Sequence, residues 1–154
     1  MAGLSIEVRV QGLEQVRARL ERLAEVDRRG LARAIGEAIV HETLDAFKRQ
    51  ESPWGERWKP SQRAQGLVRG KKPGLTLVDT ARLRNSIHAR TSGDQVEVGT
   101  DVVYARIHQL GGKAGRGVEL PARPYLPADE QGLAPRTQDL VERIVREHLE
   151  ERLK

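Results

Sequence analysis

Residues 51–75 read "ESPWGERWKPSQRAQGLVRGKKPGL" and collect Pro53, Gly55, Pro60, Gly66, Gly70, Pro73 and Gly74. Proline removes a backbone donor and fixes φ, and glycine resists ordering, so this density excludes regular structure across about twenty residues. The fold must be built from what flanks a long Pro/Gly-rich basic loop at about 51–76. Loops of that length inside a domain are functional or unstructured as a rule. Yet the chain's two tryptophans, Trp54 and Trp58, both lie here. Large rings in a polar loop find something to bury against, so a folded loop or an intersubunit arm is expected.

Upstream, "LSIEVRV" alternates Leu4, Ile6, Val8 and Val10 with polar neighbours, which predicts a short strand. Leu13, Val16, Leu20 and Leu23, then Leu31, Ala34, Ile35, Ala38, Ile39 and Phe47, recur at helical spacing. Two helices follow from that, with Gly30 marking the break and the second spanning about 29–50. Downstream, Asp79 or Thr80 is placed to cap a short helix through Leu83 and Ile87. Strands near 87–91 and 95–99, with Val96 and Val98 inward, then form a hairpin around Ser92, Gly93 and Asp94. A short helix starting at Asp101 carries Val103, Ile107 and Leu110 on one face and stops at Gly111. "VELPARPYLPADE" is extended by its three prolines, and an amphipathic helix over about 130–153 closes the chain. The expectation is one α+β domain over residues 1–154: a small, mainly antiparallel sheet, a long N-terminal helix pair and a C-terminal amphipathic helix.

At 154 residues, 38% hydrophobic but only 3% aromatic, the chain must build its core from aliphatic side chains. A core that lean favours additional burial through assembly. The absence of cysteine removes disulfides and thiolate ligands and suits a reducing cytoplasm. The N-terminus has no apolar signal region and no run of about 18 apolar residues occurs, so a soluble, unexported protein is expected. The net charge of +5 is uneven: residues 57–90 hold nine Lys/Arg against the single acid Asp79, a local +8 that leaves the remainder at −3. Such a field attracts polyanions or an acidic protein face.

Catalytic chemistry finds little support. His41, His88, His108 and His148 have no partner at a recognised metal-ligand spacing, and His41 with Asp45 reads as a solvated helix face. There is no GxSxG elbow, and "GGKAGRG" lacks the Ser or Thr that must follow the lysine of a phosphate loop. Glu25/Asp27, Glu142/Glu147 and Glu150/Glu151 stand beside arginines on apparent surface faces rather than in an apolar pocket. Neither catalytic residues, nor a metal, nor a cofactor is expected, and the chain reads as a non-enzyme. Nucleic-acid binding is the stronger competitor, since the basic 57–90 segment joins charge to two tryptophans, although no helix-turn-helix or zinc finger accompanies it.

"LVDTARLRNSI" (77–87), "DQVEVGTDVVYARIHQLGG" (94–112) and "LPARPYLP" (120–127) together resemble, in order and spacing, the phage virion-morphogenesis or tail-completion family of Mu-like and P2-like phages. The match spans roughly 54–127, and the flanking helices agree in length and character. Asp79-Thr80-Ala81 stands where that pattern has threonine-glycine, Tyr125 where phenylalanine is common, and Pro127 where glycine is frequent. The resemblance implies a structural virion protein of the neck or tail top, assembled in the host cytoplasm. It would form a homo-oligomeric ring, six copies to match tail symmetry, that completes the tail and supports head–tail joining beside other neck and tail proteins. It implies no catalysis, no cofactor and no membrane.

A closed ring needs two different complementary patches on each copy. Trp54, Trp58, Tyr104, Ile107, His108, Arg123, Pro124 and Tyr125 are the expected interface residues, with Arg123 pairing a carboxylate of the next copy. Arg57, Lys59, Arg63, Arg69, Lys71 and Lys72 are expected to face an acidic partner or, without sequence specificity, double-stranded DNA in the lumen. The alternative reading is a DNA-binding or packaging accessory protein acting through the basic 57–90 segment.

Overall fold

The computed structural model describes residues 13–154, so the strand expected from "LSIEVRV" lies outside them. Two helices come first, α1 at Leu13–Ala24 and α2 at Arg28–Arg49. The break falls at 25–27 rather than at Gly30, because Asp27 is the N-cap and its carboxylate accepts from the Gly30 amide at 2.9 Å. Gly30 sits in the first turn, where any Cβ would run into that carboxylate. Gln50 ends α2 in the left-handed region, φ 57°, and its amide returns to the Ala46 carbonyl.

After the loop come α3 (Arg82–Asn85) and the antiparallel hairpin β1 (His88–Ser92) and β2 (Gln95–Gly99), registered as His88 opposite Gly99 through Ser92 opposite Gln95. Gly36 of α2 faces this hairpin so closely that a Cβ would stand 2.5 Å from the Val96 side chain and 3.0 Å from that of Ala89. The helix α4 (Ala105–Leu110) leads through Gly111 into a second ribbon, β3 (Gly112–Ala114) with β4 (Val118–Leu120). A third ribbon pairs β5 (Ala128–Asp129) with β6 (Gly132–Leu133), and α5 (Pro135–Leu153) closes the chain against α1 and α2. The architecture is α+β, with its β structure in three two-stranded antiparallel ribbons instead of one sheet.

Helix α5 begins five residues later than its periodicity predicts. Asp129 accepts from the amides of Gln131 at 2.8 Å and Gly132 at 3.2 Å, an Asx turn that competes with helix, and Pro135 then supplies a fixed φ at the helix start. Among the described residues no helix is long and apolar enough to cross a membrane.

Helix α3 also departs from expectation. Neither Asp79 nor Thr80 caps it in the ordinary way: Ala81 is the N-cap, at φ 58°, with no side-chain cap bond. The Asp79 carboxylate turns instead to Lys71 and Arg63, at 2.6 Å and 3.5 Å. Left-handed backbone costs an alanine about 1–2 kcal/mol, and this is the position where the resembled pattern has glycine. Ala81→Gly is therefore expected to stabilise the chain by about 0.5–1 kcal/mol, after the entropy that glycine adds to the unfolded state. A urea titration reads it as a rise in midpoint at constant m.

The buried centre comprises Ala46, Phe47, Trp58, Leu83, Ile87, Ala105 and Tyr125. Phe47 is its hub, with Trp58 edge-on at 5.5 Å between ring centroids and Tyr125 tilted at 5.4 Å. Three of the chain's five aromatic rings thus meet at one point, each contributing more than its area alone.

Candidate functional site

The long loop has neither helix nor strand, yet side chains hold it at every stage. Gln50 brackets Thr76, donating to its carbonyl at 3.1 Å and accepting its amide at 2.6 Å. Arg63 donates to the carbonyls of Lys72, Leu75 and Val78 at 3.3, 2.7 and 3.1 Å, so the loop folds around one guanidinium. The Trp58 indole donates to the Pro124 carbonyl at 2.9 Å, and the Arg123 guanidinium to the Lys59 carbonyl at 2.7 Å. These two bonds fasten the loop to the "PARPYL" segment.

That arrangement sorts the expected interface residues into two groups. Trp58, Arg123 and Tyr125 are 6%, 5% and 1% exposed and pack within the chain itself. Arg123 donates from Nε to the Lys59 carbonyl and so pins the loop within the chain. Pro124 is half-buried and supplies the carbonyl that Trp58 needs. Trp54 and Tyr104 are exposed, each at 37%, while Ile107 and His108 are half-buried on α4. Among the basic residues, Arg57, Lys59, Arg69, Lys71 and Lys72 are exposed, whereas Arg63 is a half-buried scaffold.

Helix α4 presents its apolar residues differently from expectation. Ala105 is buried and Gln109 turns inward, its carbonyl oxygen accepting the amides of Tyr125 and Leu126 at 3.0 Å each. The inward face is thus a backbone clamp on the "PARPYL" segment. Val103, expected on one helix face with Ile107 and Leu110, precedes α4, which starts at Ala105 rather than Asp101, and Val103 and Leu110 are 94% and 63% exposed. Periodicity did not show which side of so short a helix is buried, and Gln109, although inside the 94–112 motif, was given no role by the sequence.

Between the loop and the β3–β4 ribbon lies a cleft of about 830 Å³. Leu67, Leu77, Leu83, Tyr104 and Val118 supply its apolar wall, Lys59, Arg63, Lys71, Arg82 and Arg123 its cations, and Asp79 and Glu119 its carboxylates. His108 borders it, with its Nδ1 buried and without a hydrogen-bond partner among the described residues. Burial, and secondarily the Arg123 charge, hold the His108 imidazole below its usual range and so favour the neutral ring. Lys71 lowers the Asp79 pKa by hydrogen bonding. The other histidines are apart: His41 lies 3.4 Å from Asp45 on α2, and His88 contacts the Ser86 carbonyl. No group of three His, Asp or Glu side chains converges among the described residues.

Tyr125 gives this region a pH signature. Its hydroxyl donates to the Ala105 carbonyl at 2.9 Å, and burial pushes its pKa up to about 12. The unfolded tyrosine ionises near 10 and the folded one does not, so protons are lost on unfolding and stability falls as pH rises from about 10 to about 12. Tyr125→Phe is expected to cost about 1 kcal/mol at neutral pH by removing that hydrogen bond, and to flatten the alkaline fall. Thermal melts from pH 8 to 12 compare the two chains.

Residues 8–150 match the model of a family described as phage virion morphogenesis. The chain is similar to the Mu-like prophage FluMu G protein 2 of Haemophilus influenzae, 34% identical over 148 residues that cover 92% of this chain and 99% of that one. It is also similar to the putative capsid assembly protein G of Escherichia phage Mu, 31% identical over 132 residues, covering 78% and 82% respectively. No solved structure matches.

Proposed function

Because the chain belongs to the phage virion morphogenesis family, we propose that it is a structural subunit of the neck or tail top, where copies form a ring that completes the tail and supports head–tail joining. The observation that carries this reading is the set of large apolar side chains left in solvent around α4 and the β3–β4 ribbon: Val103 at 94%, Leu110 at 63% and Val118 at 61%. Monomers rarely leave such residues clustered without a partner, and a ring conceals a patch on every copy. A junction between head and tail also accommodates a relative named for capsid assembly. The subunit works by shape and charge rather than by bond-making.

A phage lacking this chain is expected to yield filled heads and tails that remain unjoined, and negative-stain images of the purified protein with tail tubes are expected to show a collar at one tube end. Morphologically complete virions without the chain would overturn the reading. The second reading, a DNA-binding or packaging accessory protein, is favoured by one observation: five exposed cations, Arg57, Lys59, Arg69, Lys71 and Lys72, on a single loop. Tight duplex binding whose log affinity falls with log salt at a slope of about −0.9 per phosphate contact would support it.

A further inference from the structure

We propose that the cleft between the basic loop and the β3–β4 ribbon receives the β5–β6 tip of a neighbouring copy of this chain. The proposal rests on the ring reading and supplies its contact.

Apolar and cationic surface converge in the cleft, where five cations outnumber the two carboxylates, Asp79 and Glu119. Leu67 and Val118 are 70% and 61% exposed, and Tyr104 lies beside them. Of the cations, Arg63 is bound to three carbonyls, Arg123 to one, and Lys71 faces Asp79 at 2.6 Å. Lys59 and Arg82 remain, both exposed and without an acidic partner among the described residues. A complementary occupant must bring carboxylates and an apolar side chain together. A nucleic-acid backbone would answer the two cations but leave leucine and valine uncovered, whereas an acidic turn of polypeptide answers both.

The chain carries such a turn. Every residue from 128 to 133 is exposed, and the tip presents Asp129 and Glu130, neither within ion-pair distance of a cation among the described residues. Leu133 follows, 36% exposed. The Asx turn at Asp129 holds the ribbon in shape before docking, which lowers the ordering cost of association. Cleft and tip are different patches, so the contact is heterologous, the kind that closes a ring. A cavity of this size encloses a drug-sized ligand elsewhere, and so admits the side chains of one tight turn.

Because the natural sequence has no cysteine, the contact can be read covalently. An equimolar mixture of Glu130→Cys and Arg82→Cys chains under mild oxidation is expected to give a mixed disulfide dimer that neither chain gives with itself. Independently, Asp129→Lys/Glu130→Lys and Lys59→Glu/Arg82→Glu are each expected to weaken self-association at least tenfold by light scattering, with assembly returning when the two doubly substituted chains are mixed. Circular dichroism confirms that each is folded. If both variants assemble like the natural chain and no mixed disulfide forms, the proposal falls while the ring reading stands. A natural chain that is monomeric at every concentration and single-copy in finished particles removes both. Should Lys59→Glu/Arg82→Glu lose duplex binding but keep its assembly, the cleft is a nucleic-acid surface and the proposal is wrong.

Discussion

Trp58→Ala is expected to lower the unfolding free energy by about 3–5 kcal/mol, the usual cost of removing a buried large ring. The residue is 6% exposed and stands edge-on to Phe47 at 5.5 Å, so truncation leaves a cavity beside the hub of the aromatic cluster. It also orphans the Pro124 carbonyl, which now accepts from the indole at 2.9 Å. Since that bond is one of two joining the loop to the "PARPYL" segment, the loss is expected to loosen residues 51–76 as well as the core. Urea titration would show a large fall in midpoint, and hydrogen exchange would show the loop exchanging earlier. Trp54→Ala is the control: at 37% exposure it is expected to cost no more than about 0.5–1 kcal/mol. Equal losses for the two tryptophans would contradict this division of labour.

The contrast between the tryptophans marks where the sequence becomes hard to read. That a long loop with two tryptophans had to be folded follows from their chemistry, since rings that size do not stay in water by default. Which tryptophan goes inside depends on Phe47 and Tyr125, eleven residues before and sixty-seven after Trp58, and no local pattern reports contacts that distant. The same holds for Arg63. In the sequence it is one cation among nine, and only the carbonyls of Lys72, Leu75 and Val78 make it a scaffold. Helix α2 and the hairpin β1–β2 were legible because periods of 3.6 and 2 are local. The β5–β6 ribbon was not, because Leu133 fits the helical period of α5 while the Asp129 turn overrides it. Family membership was legible from three ordered motifs, the least local kind of evidence that a single chain offers.

Arg123→Glu is expected to cost at least about 3–5 kcal/mol, the range for leaving a buried charge uncompensated. The guanidinium is 5% exposed and donates to the Lys59 carbonyl at 2.7 Å. An ionised glutamate there has no proton to give, so two acceptors would face one another away from water. Burial favours the neutral acid and raises its pKa above the unfolded value of about 4.3. The added cost is therefore smallest below about pH 4.3 and grows as pH rises through the folded pKa. Arg123→Gln keeps an N–H for the carbonyl and removes the charge, and is expected to cost about 1 kcal/mol at every pH. Denaturation of the three chains at pH 4 and 7 separates a buried donor from an intersubunit ion pair. In the latter case both variants would fold normally and differ only in assembly. Loss of rings in Arg123→Glu would consequently report unfolding of the loop, and the interface has to be tested at Lys59, Arg82, Asp129 and Glu130, whose side chains lie in solvent.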